Sequence, residues 1–461
     1  MHAPARQATI PPASPPNGLL TAPILPTLAR LAVPNAIASL GTTLVAIAET
    51  FYVGRLGTEP LAAIALAFPF VMLTQMMSAG AMGGGVSSAI SRALGAGDDA
   101  RAAALAVHAA IIGAGGGVLF TVVMLTLGHS LFALLGGKGR VLDEALTYAH
   151  VLFSGAIAIW MVNTLASILR GTGDMMRSSG VVLTVALLHA VIGGVLGLGF
   201  GPIPRFGMAG VAAGQVIAFA LGALFLAWFI LSGRSRITLD FPAFTFQRDM
   251  FVDILKVGAV SCLSPLQNVL TVLIFTRIVA GFGPEALAGY GIGARLEFLL
   301  VPISFALGVA SIPMIGMAIG ANRVARARKV AWTAGSLAGL LVGAIGLTVW
   351  IAPDLWSGLF TQNAAVRAAA NSYLAWAGPA YCCFGLGVCL YFSSQGAAKV
   401  GGPVIAGTVR LLMVLGGGWW LASSGAGLWT LFALVGASMT AYGVLTVLAI
   451  RATAWGEAGR S

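Results

Sequence analysis

The sequence has few charged residues. Only 8% of its 461 residues are Asp, Glu, Lys or Arg, whereas 58% are hydrophobic and the mean hydropathy is +0.95. A soluble protein of this size would carry about 25% charged residues, so this composition excludes an ordinary soluble domain. Apolar runs of about 20 residues, the length that crosses a bilayer as a helix, recur along the chain and predict an all-α polytopic membrane protein.

The sequence also has few cysteines and lacks enzyme motifs. All four cysteines fall inside apolar runs, with no spacing to histidine that is typical of a metal site, so we expect packing residues, no metal and no other cofactor. No GxxxxGK[ST] phosphate loop, HExxH or GxSxG pattern occurs, so neither ATP drive nor an enzyme is predicted. The net charge of +11 comes from residues between the apolar runs, which indicates membrane topology and no nucleic-acid partner.

The chain contains two similar halves. GRLGTEPLAAIALA recurs loosely as GFGPEALAGYGIGA, and ALGAGDDARAAA recurs as AIGANRVARARK. Aligning Gly57 with Gly283 gives an offset of 226 (283 − 57), and aligning Gly95 with Gly320 gives 225 (320 − 95). Two similar membrane halves that meet at a midline site are typical of secondary transporters.

Apolar length and breaks predict about twelve spans, six in each half. The predicted limits are 28–54, 61–90, 103–127, 144–169, 179–200, 208–232, 254–281, 286–317, 330–352, 368–394, 402–422 and 427–450. The predicted domains are a disordered cytoplasmic tail at 1–24, a six-helix lobe at 25–232, a cytoplasmic linker at 233–250, a second six-helix lobe at 251–452 and a cytoplasmic tail at 453–461.

Basic residues predict the orientation. The loop set that contains Arg92 and Arg101 is richer in Arg and Lys than the alternate set, so we expect it to be cytoplasmic, together with both termini. Six spans in each half bring both halves into the membrane from the same side. The repeats are therefore predicted to be parallel, related by an axis along the membrane normal.

Two ionisable residues lie alone within predicted spans of the first half, where a charge is costly and marks a functional candidate. Glu49 lies near the outer end of the first span, where it either binds a proton or cation or extends to the membrane interface. His189 lies near the middle of the fifth span. A neutral histidine there either makes a helix-to-helix hydrogen bond or titrates as part of an ion or substrate site.

The second half contains Arg295 and Glu297 in its second span, two residues apart on the helix, so they do not face each other. Arg410, at a similar predicted depth, is a candidate partner for Glu297, and a neutralised structural pair is the simplest interpretation. Among neutral polar residues, Asn163, Gln215 and Asn268 are further candidates for substrate or ion contacts, although helix-to-helix hydrogen bonds are the usual role of such residues.

Several motifs resemble the multidrug and toxic compound extrusion (MATE) family along nearly the whole chain. They are AETFYVGRLG, RALGAGDDARA and ILRGTGDMMRSS in the first half, and GYGIGARLEFLLVP and IGMAIGANR in the second. The resemblance implies a V-shaped pair of six-helix bundles in a prokaryotic cytoplasmic (inner) membrane. It also implies export of cationic or amphipathic drugs and toxic compounds in exchange for H⁺ or Na⁺.

The resemblance assigns the coupling acid of the first span to Glu49, where aspartate is usual. The family often has an asparagine where this chain has His189, a polar or acidic residue at Gly193, and a threonine at Gln215. Na⁺ prefers several oxygen ligands, whereas a neutral imidazole offers nitrogen. We therefore predict H⁺ as the coupling ion, with Na⁺ as the alternative, and Glu49, His189 and Gln215 as the ion-coupling residues.

Acids that one branch of the family has in the seventh and tenth spans correspond to Asn268 and Gly385, so the cation site of that branch is not expected in the second lobe. The expected partners are small cationic or amphipathic substrates and membrane lipids, and one chain is expected to function as a monomer because it contains both lobes. The main alternative is a flippase for a lipid-linked precursor, which gains support if Arg277, Arg295 and Arg410 are not paired with acids. A channel, a scaffold or a membrane enzyme is less consistent with the isolated ionisable groups.

Overall fold

The computed structural model describes residues 18–237 and 245–456, and the secondary structure of this part of the chain is helical. Eleven helices are long and apolar enough to cross a membrane, and one further pair, bent by 50°, passes the same test as a single span. The described residues therefore contain twelve spans if the bent pair counts as one. This confirms the predicted all-helical, two-lobed membrane fold.

The first six spans form the first lobe. They are Ile24–Gly54, Thr58–Gly95, Asp99–Leu134, the bent pair Gly139–Ser154 and Ala156–Thr172, Met175–Leu198 and Gly207–Leu231. The last six form the second lobe. They are Arg248–Ala280, Pro284–Gly320, Val324–Ile351, Ala364–Gly396, Gly401–Ser423 and Leu428–Ala452. Within the second span, Met76–Met82 is a π-helical segment, and two short helices, Gly18–Thr21 and Asp354–Ser357, lie outside the spans.

The predicted domain limits fall partly outside the described residues. Of the tail predicted at 1–24, only the part from Gly18 is described, and it includes a helical turn with Leu19 buried. Most of the predicted linker is described on either side of residues 238–244, and its last residues already belong to the seventh span, which begins at Arg248. The lobe and tail boundaries stay predictions.

Two of the sequence motifs form the starts of helices. In GAGDDARA, Gly97 has a φ of +77° and Asp98 accepts a hydrogen bond from the backbone N–H of Arg101 at 2.8 Å. In GTGDMMR, Gly173 has a φ of +90°, and Asp174 accepts from the backbone N–H of Arg177 at 3.2 Å. Glycine tolerates the left-handed backbone, and aspartate satisfies an N–H group of the first turn, so Gly-Asp ends one span and starts the next.

The apolar core is divided into three clusters. The first cluster is shared by both lobes and includes Val86 and Ile90 of the first lobe and Ile312 and Met314 of the second. The second cluster contains only second-lobe residues, and the third contains only first-lobe residues. The lobes are therefore joined through one common core and have separate cores elsewhere.

Polar contacts reinforce the junction between the lobes. Arg92 donates to Asp253 at 2.6 Å, and Arg101 lies 3.5 Å from Asp249 and 3.7 Å from Asp253. Ser88 of the second span donates its hydroxyl to the backbone carbonyl of Gln395 in the tenth span. The loop set that contains Arg92 and Arg101 is the one predicted to be cytoplasmic, so the lobes are joined at that end.

Candidate functional site

Four spans of the first lobe bring polar side chains to one point. His189 Nε2 of the fifth span lies 3.5 Å from Glu49 Oε1 of the first span. The hydroxyl of Tyr148, on the fourth span, lies 3.4 Å from Glu49 Oε1 and 3.2 Å from Gln215 Oε1 on the sixth span. The three predicted ion-coupling residues are therefore close together in space, although their roles stay predictions.

Glu49 is held inside the lobe. Its side chain is 13% exposed and that of His189 is 8% exposed, so the carboxylate does not extend to solvent at the helix end. A carboxylate in such a position needs hydrogen-bond donors or a bound proton, because burying an unpaired charge is costly. Tyr148 and His189 are the groups nearest to its Oε1 atom that can meet this need.

Tyr148 is shared between two acceptors. A tyrosine hydroxyl carries one proton, so Tyr148 donates either to Glu49 or to Gln215 at any moment. The side chain is buried, at 1% exposed, which leaves these two oxygens as its acceptors among the described residues. The hydroxyl is therefore positioned to change partner when the charge of Glu49 changes.

Tyr52 completes the group one turn along the first span. A Cβ atom placed on Gly193 would lie 2.9 Å from its hydroxyl oxygen, so Tyr52 takes up space beside the position where the family often has a polar or acidic residue. Among the described residues the Tyr52 hydroxyl has no hydrogen-bond partner, and His189 Nε2 lies 3.5 Å from Glu49 Oε1 without forming a well-directed hydrogen bond. Two unpartnered buried polar atoms beside a carboxylate are consistent with a site that takes up a proton, a water or a small cation.

The predicted contact between Glu297 and Arg410 in the second lobe is not found. Within the described residues no Lys or Arg nitrogen forms an ion pair with Glu297, and its carboxylate instead accepts a hydrogen bond from the Tyr373 hydroxyl. Arg410 donates to Asn268 Oδ1 at 3.3 Å and lies 4.9 Å from the ring centre of Phe384. The predicted direct ion pair does not form, because Glu297 and Arg410 are each hydrogen-bonded to a different neutral side chain.

The remaining candidates lie elsewhere. Arg295 is exposed and lies 5.6 Å from the ring centre of Phe360. Asn163 is buried and donates to Gln75 Oε1 at 3.0 Å and to Ser78 Oγ at 2.7 Å. It therefore holds the fourth span against the π-helical part of the second span, and it does not contact the group around Glu49 in the described residues.

Sequence reasoning missed the tyrosines. Tyr148 and Tyr373 are the hydroxyl donors to Glu49 and Glu297, yet neither was among the candidates. A signal was available, since they are separated by 225 residues (373 − 148), the offset that also relates Gly95 to Gly320. A polar aromatic residue kept at equivalent places in both halves of an apolar chain indicates a shared role.

A family model matches the sequence of both lobes. The MatE model matches residues 34–195 and 261–420, the corresponding parts of both lobes. The chain belongs to the MATE family. Its relatives include a protein of Shewanella oneidensis named FAD transporter, 30% identical over 68% of this chain and 69% of the relative. A second relative, from Deinococcus radiodurans, is named probable multidrug resistance protein NorM and is 29% identical over 75% of this chain and 77% of its own.

Solved MATE structures share the fold over nearly the full length. A MOP superfamily transporter from Pyrococcus furiosus, whose reverse-polarity binding pocket suggests a different function, matches with a TM-score of 0.86 and 26% identity, over 94% of this chain and 97% of its own. The outward-facing conformation of a multidrug resistance MATE family transporter matches with a TM-score of 0.85 and 26% identity, over 95% and 98%. This chain is thus an integral membrane protein with the MATE transporter fold.

Proposed function

We propose that this MATE protein is a proton-driven exporter of cationic or amphipathic compounds, with Glu49 as the residue that couples proton entry to substrate release. One observation carries the proposal. Tyr148 and His189 lie against Glu49, and Tyr148 also contacts Gln215, so a change in the charge of Glu49 acts on contacts that link four spans. The relatives named multidrug resistance protein NorM and multidrug export protein MepA support the substrate class.

The proposed coupling step is an exchange of hydrogen bonds. When Glu49 is ionised, the Tyr148 hydroxyl donates to Glu49 Oε1, because a hydrogen bond to a charged acceptor is the stronger one. When a proton binds Glu49, the carboxyl is neutral and can itself donate, and the Tyr148 hydroxyl is free to donate to Gln215 Oε1 instead. The contacts between the first, fourth and sixth spans therefore differ between the two protonation states.

The conformation is consistent with release on the outer side. The lobes are joined through Arg92, Asp253 and the shared apolar core at the end that we assign to the cytoplasm, with both termini on that side. A carrier closed to the cytoplasm exposes its site to the opposite side. We therefore place this state at the step in which substrate leaves and a proton enters, in a prokaryotic cytoplasmic membrane.

The donor set favours H⁺ over Na⁺. The site combines one carboxylate with an imidazole and neutral oxygens. Na⁺ prefers an oxygen cage, as hard cations do. A carboxylate beside an imidazole is better matched to binding and passing on a proton.

The test is efflux of ethidium, a fluorescent cationic dye, from proteoliposomes that contain the wild type or Glu49→Gln, with a pH gradient and a Na⁺ gradient imposed separately. We expect the pH gradient to drive efflux in the wild type and the glutamine variant to lose that drive. Glu59→Gln, at the start of the second span, is the matched control and should behave as the wild type.

Two outcomes would contradict the proposal. Efflux driven by a Na⁺ gradient alone would show that Na⁺, and not H⁺, is the coupling ion. Normal pH-driven efflux by Glu49→Gln would show that the carboxyl does not couple transport.

One chain contains both lobes, so we also expect activity from liposomes that hold single monomers.

A second candidate is transport of a phosphate-bearing amphipathic compound, such as a flavin nucleotide or a lipid-linked precursor. It is favoured because Arg277, Arg295 and Arg410 form no ion pair with an acid in the described residues, and because one relative is named FAD transporter. Such arginines can bind a phosphate. Inhibition of dye efflux by FAD, but not by riboflavin, would favour this candidate over a strictly cationic substrate range.

A further inference from the structure

Two tyrosines at equivalent positions of the two halves make the same kind of hydrogen bond. Tyr148 lies on the fourth span and Tyr373 on the tenth, which are corresponding helices, and the offset between them is 225 (373 − 148). Tyr148 donates its hydroxyl to Glu49, and Tyr373 donates its hydroxyl to Glu297. Each lobe therefore contains a glutamate that accepts a hydrogen bond from the tyrosine at the equivalent position of the repeat.

The two glutamates come from different helices of the repeat. The position in the second half that corresponds to Glu49 is Phe275 (275 − 49 = 226), and the position in the first half that corresponds to Glu297 is Val71 (297 − 226 = 71). The second lobe thus has no carboxyl at the position of Glu49. Instead, a carboxyl of its eighth span contacts Tyr373, the tyrosine that corresponds to Tyr148. If the tyrosine served packing alone, an apolar neighbour would be sufficient, and burying a carboxyl there would only add cost.

The surroundings of Glu297 contain few other charges. The ionisable groups that act on it are Tyr290 on its own helix, Tyr373 and Tyr381 on the tenth span, and Arg410 on the eleventh span. Arg410 is beyond ion-pair distance and is held by Asn268. Of the other helices packed against the eighth span, none offers Glu297 an ion-pair partner within the described residues.

The site around Glu297 also has unused hydrogen-bonding capacity. The Nε atom of Arg410, which is 8% exposed, has no hydrogen-bond partner among the described residues, and Tyr381 is fully buried close to Tyr373. Glu297 itself is half-buried. The lobe core around it is aromatic: the rings of Tyr290 and Tyr373 have centres 5.5 Å apart.

We propose that Glu297 is a second proton-binding carboxyl, hydrogen-bonded by Tyr373, so that each lobe of the transporter binds its own proton. The inference rests on the proposed coupling by proton binding at Glu49, which it extends from one lobe to both. Proton binding at Glu297 breaks no covalent bond. The proton comes from the aqueous phase, and the Tyr373 hydroxyl keeps its own proton throughout.

The test is infrared difference spectroscopy of the purified full-length protein, stepped from alkaline to mildly acidic solution, combined with dye-based counting of the protons taken up. The C=O stretch of a protonated carboxyl is separate from that of a carboxylate, so each protonated glutamate gives its own band. Against the exposed control Glu285→Gln, we expect proton uptake to fall by about one per chain in Glu49→Gln and by about one in Glu297→Gln, because one titrating group is lost in each.

Tyrosine variants keep the test valid if Glu297→Gln folds poorly. Tyr373→Phe should shift the band of Glu297 and leave that of Glu49, because only the first loses its hydroxyl donor, and Tyr148→Phe should do the reverse. A spectrum and proton count unchanged by Glu297→Gln would overturn the second site and leave the proposal for Glu49 in place. A spectrum and count unchanged by Glu49→Gln would instead overturn the proposed coupling residue.

Discussion

Gly95 and Gly320, at equivalent positions of the two halves, each lie against the end of the other lobe's helix. A Cβ atom on Gly95 would lie 2.2 Å from the backbone oxygen of Met317, and a Cβ atom on Gly320 would lie 2.0 Å from the backbone oxygen of Arg92. Backbone cannot move aside as a flexible side chain can. The absence of a side chain at both glycines therefore permits the second and eighth spans to touch at the junction between the lobes.

Gly95→Ala should open this junction. The added methyl group would overlap the backbone of the eighth span, at a cost of about 1–3 kcal/mol for the closed state. Labelling of Cys262, which packs against the core shared by the lobes, should become faster in a background with Cys382 and Cys383 replaced by serine. Gly115→Ala is the control, because no atom lies within 4 Å of its added Cβ. Equal labelling rates in the two variants would contradict the role assigned to Gly95.

Asp253→Asn should weaken the same junction through charge. The ion pair with Arg92 is short but partly exposed, at 15% and 30% of the two side chains, so its loss should cost ~1 kcal/mol and raise the open population about fivefold. The labelling rate of Cys262 would report the change. Asp174→Asn is the matched control, because it breaks an ion pair of the same length, 2.6 Å to Arg177, that lies within the first lobe.

The double variant Arg92→Asp with Asp253→Arg gives a second check on this contact. Restoring opposite charges at the same two positions should return the labelling rate part of the way to that of the wild type, because Arg101, 3.7 Å from the Asp253 carboxylate, would then face a like charge. A double variant that labels as fast as Asp253→Asn would indicate that the contact does not depend on charge.

Tyr148→Phe should reduce pH-driven transport more strongly than Tyr52→Phe. Loss of the Tyr148 hydroxyl leaves Glu49 and the buried Gln215 without a shared donor, a cost of about 1–3 kcal/mol. The Tyr52 hydroxyl has no hydrogen-bond partner in the described residues, so its removal breaks no hydrogen bond and should cost less. Initial rates of dye efflux under one pH gradient measure the difference. If the two variants lose activity equally, Tyr148 has no particular part in coupling.

His189→Asn should give the transporter some response to Na⁺. The substitution replaces a ring nitrogen 3.5 Å from Glu49 Oε1 with an amide, whose oxygen is a better ligand for a hard cation. We expect dye efflux under a Na⁺ gradient to rise above the wild-type level, while His150→Asn, at an exposed position, leaves it unchanged. A variant with no Na⁺ response would show that the identity of residue 189 does not select the ion.

Much of the fold could be predicted from the sequence because it depends on local hydropathy. The predicted fourth span, 144–169, corresponds to the helix pair that bends at Gly155, and the hydropathy pattern did not predict this bend. Glu49, His189 and Gln215 were found because an ionisable or polar residue in an apolar run has a high cost wherever the helix packs. The tyrosine donors were missed because a tyrosine in such a run has no comparable cost until its hydroxyl is buried.

The sequence by itself determined that this is a duplicated twelve-span membrane protein with a carboxyl in its first span, since hydrophobic length and repeated motifs are properties of short segments. Only the tertiary structure decided which side chains meet. Glu297 binds Tyr373 and not Arg410, and Arg92 binds Asp253 across the lobes. The reason is geometric: helix rotation and crossing angle decide which residues on distant spans come within hydrogen-bond distance, and neither can be read from the order of residues along one helix.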